Sequence, residues 1–146
     1  MTLLCHTYLQ KILMSFSSLF SKLFGDLKGT VRNLKVIFNE FPGGAKGFEL
    51  MAMFCYDNGR TMITPSNIFL LNCAAHFLEM DGNGSSRHSL IDQTEKSLEG
   101  INFWTWSEVL VVALNSTYLL FGPNCSFTHF RILDQQSWSL GYRQHT

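Results

Sequence analysis

Residues 41–80 decide the reading. The stretch opens with Phe41-Pro42-Gly43-Gly44-Ala45-Lys46-Gly47-Phe48-Glu49-Leu50 and continues through Phe54-Cys55-Tyr56. Ile63-Thr64-Pro65-Ser66-Asn67 forms a bridge, and Leu70-Leu71-Asn72-Cys73-Ala74-Ala75-His76-Phe77-Leu78-Glu79-Met80 closes it. Two amphipathic helices are written here, with a short extended link between them. After Gly47, the residues Phe48, Met51, Ala52 and Cys55 fall at i, i+3, i+4 and i+7, one face of a helix. Asp57-Asn58-Gly59 ends that helix, with Gly59 free to take the positive φ of a helix stop. Residues 61–63 lean towards β structure. Thr64 is placed to cap the second helix, and Pro65 fits its first position, where no amide partner is lost. Ile68, Leu71, Ala75 and Leu78 make the second apolar stripe, and Ala74-Ala75 permits close approach of a neighbour.

Outward from this stretch, residues 8–24 read as helix, with Phe16, Leu19, Phe20, Leu23 and Phe24 at helical spacing, Ser15 as a dividing cap and Gly25 as the stop. Residues 33–39 read as a strand, and because Ile37 is apolar as well as Leu34, Val36 and Phe38, cover on both faces is expected. Beyond a Gly/Asn/Ser loop from 81 to 86, a helix over 89–99 carries Ser89 and Asp92 in capping-box positions, an inner face of Ile91, Thr94 and Leu98, and Gly100 as its stop. Residues 102–115 read as a further helix with Trp106, Val109, Leu110, Ala113 and Leu114 on one side. Residues 116–146 show no sustained period. The expected domain is 8–115, followed by an irregular tail over 116–146.

The totals suit one core. The chain has 146 residues, 15% of them charged and 14% aromatic, including 13 Phe. An average domain is about 25% charged, so this chain is too apolar for disorder and rich enough in apolar surface to meet a partner. A formal net charge of zero with no basic stripe gives nucleic-acid binding little support. Residues 1–24 do not follow the order of a signal peptide, since Lys11 comes after the first apolar run. The run 109–121 falls short of the ~20 residues of a membrane span. Sequons at Asn83, Asn115 and Asn124 lack a secretory signal and read as chance. Cys5, Cys55, Cys73 and Cys125 form no C-x-x-C pair and read as free buried thiols.

No chemistry-bearing constellation assembles. The strand, Gly-rich turn and helix over 33–56 invite a phosphate reading, but Gly43-Gly44-Ala45-Lys46-Gly47 matches neither phosphate-loop pattern. The alternative is a tight turn that brings the helix onto the strand. Cys73 and His76 have the spacing of a thiolate–imidazole pair, yet Leu70, Leu71, Ala74, Ala75 and Phe77 describe a packed helix without a cleft. His76 and Glu79 lack further ligands for a metal. Trp104 and Trp106 either anchor an interface or divide, with Trp106 inward and Trp104 at a boundary. The residues describe a mostly helical α+β domain, a non-enzymatic interaction module with no cofactor.

The quoted motifs also resemble the BTB/POZ domain of the plant non-phototropic-hypocotyl (NPH/RPT-like) family. Phe-Pro-Gly-Gly-Ala-x-Gly-Phe-Glu-Leu, Phe-Cys-Tyr, Ile-Thr-Pro-Ser-Asn-Ile and Cys-Ala-Ala-x-x-Leu-Glu-Met stand in family order, and the likeness covers roughly 8–114. It implies a BTB/POZ-like fold, a small sheet flanked by helical hairpins, often dimeric. It also implies a substrate adaptor of a cullin-based E3 ubiquitin ligase in light- and auxin-linked signalling, cytoplasmic and peripheral at the plasma membrane. Its partners would be a cullin scaffold and a homo- or hetero-dimer partner of the same family, with no transmembrane segment. By analogy the cullin-facing residues are Tyr56, Asp57, Asn58, Met62 and Thr64. Many cullin-binding BTB domains carry a hydrophobic-x-Glu element at this link. Here the corresponding stretch, Met62-Ile63-Thr64, departs from it and has no acid. Against the family pattern the chain reads as truncated, with 1–7 too short for the usual opening β-hairpin. The second functional expectation is therefore a fragment that associates with full-length relatives or is inert.

Overall fold

The computed structural model describes residues 2–25, 33–82 and 89–117. A strand β1 (Thr2–His6) runs into helix α1 (Thr7–Phe16), followed by α2 (Ser18–Gly25) and strand β2 (Asn33–Ile37). Helices α3 (Gly44–Tyr56), α4 (Ile68–Phe77) and α5 (Leu90–Glu99), a 3-10 turn (Gly100–Phe103) and helix α6 (Trp106–Thr117) complete the order. β1 and β2 pair antiparallel, with Leu3 opposite Val36 and Leu4 opposite Lys35. The segment ahead of α1, read as too short for a hairpin, thus forms a single strand whose partner comes from beyond α2. Cover on both faces of β2 is not found. Val36 packs on the core, whereas Lys35 and Ile37 are exposed, because the described sheet has two strands and no layer covers its outer side among the described residues.

The phenylalanines build the main core. Phe16, Phe20, Phe24, Phe38, Phe41, Phe48 and Phe54 are buried around Met51, Leu71 and Leu78. Their rings meet mostly edge to face: Phe20–Phe38 at 6.0 Å, Phe38–Phe77 at 5.7 Å, Phe41–Phe48 at 5.7 Å and Phe16–Phe54 at 5.7 Å between centroids. This geometry sets positive ring edges against negative faces and adds to the area each ring removes from water. A smaller cluster of Ile68, Phe69, Cys73 and Val112, with Trp104 and Val109 against it, fastens α6 to the other side of α4.

The helix over 8–24 divides, but at Ser17 and not at Ser15. Ser15 Oγ donates to the Ile12 carbonyl at 2.7 Å, a bond within its own turn. Ser17 Oγ accepts from the Phe20 amide at 3.1 Å and donates to the Leu78 carbonyl, while the Ser18 amide donates to the Glu79 carbonyl at 3.1 Å. A cap that also binds a distant helix end fixes the bend.

α3 begins at Gly44, four residues earlier than the spacing suggests, and its glycines pack closely. A Cβ on Gly47 would lie 2.0 Å from the Pro42 carbonyl oxygen, and one on Gly43 (φ 69°) would lie 2.2 Å from Leu70 Cδ1. Both sites require a residue without a side chain. The turn presses α3 against Leu70 of α4, where a turn that brings the helix onto the strand was expected. At the far end, Asn58 (φ 52°) and Gly59 (φ 80°) are both left-handed, and the Gly59 amide closes the helix on the Phe54 carbonyl at 2.9 Å. At α5, Ser89 Oγ accepts from the Asp92 amide at 3.1 Å, as its capping position suggests. Leu90 supplies the deepest contact of that helix beside Thr94, whereas Ile91 and Leu98 are only half-buried.

Two features of the last third depart from the periodicity. α6 starts at Trp106 because Thr105-Trp106-Ser107-Glu108 is a capping box: Glu108 accepts from the Thr105 amide at 2.7 Å, and the Glu108 amide reaches Thr105 Oγ1 at 3.4 Å. The helix then turns Val112 inward and leaves Trp106, Leu110 and Leu114 exposed. Of the tail expected to be irregular over 116–146, Ser116 and Thr117 belong to α6, and 118–146 lie outside the described residues, as do Asn83 and Asn124.

Candidate docking surface

The site begins where α3 stops. Tyr56 is its last residue and is 55% exposed, since the inward positions of the final turn are taken by Phe54 and Cys55. Asp57 and Asn58 follow on the surface of the left-handed stop. Residues 60–64 then run without regular structure; the β-leaning 61–63 pair with no strand among the described residues. Within this link Ile63 packs against both apolar clusters. Met62 beside it is thrown outward, 77% exposed. Thr64 is half-buried.

The capping role expected of Thr64 is filled differently. Its carbonyl accepts from the Asn67 amide at 3.1 Å and the Ile68 amide at 2.9 Å, so the coil does begin at Thr64-Pro65. Its hydroxyl, however, pairs with Ser66 Oγ at 2.9 Å. Asn67 holds the link, accepting from the Thr64 amide at 2.8 Å and donating to the Met62 carbonyl at 3.0 Å. Gln93 of α5 reaches the Gly59 carbonyl from the other side at 3.5 Å. Met62 and Thr64 are therefore joined through one side chain, and Tyr56, Asp57 and Asn58 lie together at the helix stop. Met53, one turn before Tyr56, is exposed as well and was missed by the reading of the inward stripe. Its place, opposite Phe48, Met51 and Cys55 at i+3 to Tyr56, is the sequence signal that reveals it. Adaptable thioethers flanking an aromatic ring suit binding to another protein surface.

The other constellations resolve structurally. Cys73 is fully buried and disulfide-bonded, which overturns its reading as a free thiol and removes it as a nucleophile. Cys55 is free and buried, 3.6 Å from Met51 Sδ, and burial pushes its thiol up to about 12. Such a thiol is inert at neutral pH. His76 turns to Glu95 at 3.4 Å and Glu79 turns to Lys22, so the two do not converge on a metal. Among the described residues no group of three or more His, Cys, Asp or Glu is arranged to hold a metal ion. Nor, among them, is any helix long and apolar enough to cross a membrane. The expected division of the tryptophans is reversed: Trp104 packs on the smaller cluster, while Trp106 is 59% exposed.

Fold and surface together describe a mostly helical α+β domain with an exposed Met62 on its α3–α4 link. The chain is similar to a BTB/POZ domain-containing protein of Arabidopsis thaliana, 43% identical over 102 residues, which covers 70% of this chain and 19% of the relative. A second Arabidopsis thaliana BTB/POZ domain-containing protein is 37% identical over 90 residues, 62% of this chain and 17% of that one. A third is 32% identical over 102 residues, 68% and 15% of the two chains. The chain thus spans less than a fifth of the length of these curated relatives. These likenesses support the BTB/POZ family, and the architecture, helical with little sheet, is BTB/POZ-like. No family model matches the chain, and no solved structure matches it significantly.

Proposed function

We propose that this chain is a non-enzymatic protein-interaction domain that serves as a substrate adaptor for a cullin-based E3 ubiquitin ligase. The docking residues are Tyr56, Asp57, Asn58, Met62 and Thr64 on the link between α3 and α4. The observation that carries the reading is the exposure of Met62 and Tyr56 on a link fixed at both ends, in a chain whose relatives bear the BTB/POZ name. The motif set over 41–80 favours the NPH/RPT-like branch, and with it light- and auxin-linked signalling in a plant cytoplasm, peripheral to the plasma membrane. The interaction unit is residues 8–115, and it pairs with itself or a family member.

Light scattering after size-exclusion chromatography tests this on the whole chain, with and without a purified cullin N-terminal domain. A discrete species that gains the mass of the cullin domain is the expected result. A discrete species indifferent to cullin removes the adaptor role. A second reading, association with longer relatives, draws on the exposed Trp106, Leu110 and Phe103 around α6. Co-purification with such a relative but not with cullin would favour it.

A further inference from the structure

An asparagine directly before an apolar helix ordinarily caps it, accepting from an amide two or three residues on. Asn67 occupies that position ahead of α4 but makes no side-chain cap bond. Both ends of its amide group are turned back onto the preceding link: Oδ1 accepts from the Thr64 amide at 2.8 Å, and Nδ2 donates to the Met62 carbonyl at 3.0 Å. The chemistry fixes this orientation, because a backbone amide only donates and a carbonyl only accepts. The start of α4 is served by the backbone, with the Thr64 carbonyl receiving the Asn67 and Ile68 amides.

We propose that Asn67 is the positioning residue of the docking link, holding Met62 and Thr64 in the shape that the partner meets. Ile63 anchors the middle of the link in both apolar clusters, Asn67 pins the backbone on either side of it, and Met62 is displayed between α3 and α4. A link without regular structure would otherwise lose conformational freedom on binding. Here that ordering is completed during folding, so a partner meets a preformed surface. The inference rests on the docking reading for its purpose, and its occupant is the same cullin N-terminal domain.

Two measurements on the full chain test it. In amide hydrogen exchange without partner, Asn67→Ala should speed exchange at Thr64 roughly fivefold, the worth of one part-buried hydrogen bond, with α3 and the interior of α4 unchanged. Asn67→Asp keeps the acceptor for Thr64 and should retain that protection. In binding kinetics against the cullin domain, Asn67→Ala should slow association several-fold, whereas Met62→Ala should mainly speed dissociation. Unchanged Thr64 exchange in Asn67→Ala overturns the inference, and so does loss of protection along all of α4, which would make Asn67 a helix residue and no more. Wild-type protein that ignores cullin sinks the docking reading alone, since the exchange result still decides what Asn67 holds.

Discussion

Helices α4 and α6 are both apolar and similar in length, ten and twelve residues, yet α4 buries seven side chains while α6 buries Val112 alone among those described. α4 is sheathed by α3, α5 and α6, so even Asn72 lies inside, where its Nδ2 donates to Thr94 Oγ1 at 2.9 Å. α6 meets α4 along one edge and turns Trp106 and Leu110 to water. Apolar composition marks both as helices of a core, but the number of neighbouring elements decides how much of each is enclosed. Such enclosure is a property of topology that periodicity does not report.

The sharpest way to break this contrast is to place the same charge on both helices. Leu71→Asp should abolish the folded state, since an unpaired carboxylate at a fully enclosed site of α4 costs several kcal/mol. Leu110→Asp on α6 should leave thermal unfolding within about 0.5 kcal/mol of the parent. Comparable melting of the two variants would show that α4 is not the enclosed helix. Next in size, Gly47→Ala should cost about 1–3 kcal/mol in a denaturant titration, because the new methyl meets the Pro42 carbonyl and α3 must back away from α4. An unchanged midpoint would mean that the turn relaxes freely.

The smallest effect belongs to the start of α6. The Thr105 amide, then its hydroxyl, hold the Glu108 carboxyl below its ordinary value of 4.5. A depressed carboxylate supports the fold above its unfolded pKa and loses that support as pH falls through the folded value. Protection of the Thr105 amide should therefore fade as the pH falls below the carboxyl's ordinary value of 4.5 and on through its lowered one, and Glu108→Gln should remove the pH dependence without disturbing α4. Persistence of the fade in that variant would assign it elsewhere.

Much of this was legible because local chemistry and tertiary need agree over 41–80. Gly59 and the Ile68–Leu71–Ala75–Leu78 stripe are read from sequence and found in place. Misreadings cluster where a distant partner decides. Ser17 wins the break over Ser15 because the α4 end supplies its acceptor. Thr64 does not cap through its side chain because its hydroxyl pairs with Ser66, while its carbonyl receives the Asn67 and Ile68 amides. Trp104 packs where Trp106 was expected because α6 starts at a capping box that the apolar spacing conceals. For the docking link, the resemblance supplied its place in the chain, while exposure and the Asn67 bonds came only from the folded arrangement.

The bond from Ser17 to the Leu78 carbonyl spans 61 residues of sequence. During synthesis the bend between the first two helices therefore has no acceptor until the end of α4 has left the ribosome. At about 5–20 residues per second, that interval lasts several seconds. Until Leu71, Ala74, Ala75 and Leu78 follow, the core that Leu13, Phe16, Phe20 and Phe24 enter is incomplete, so the nascent N-terminal segment leaves uncovered part of an aromatic surface that the finished protein hides.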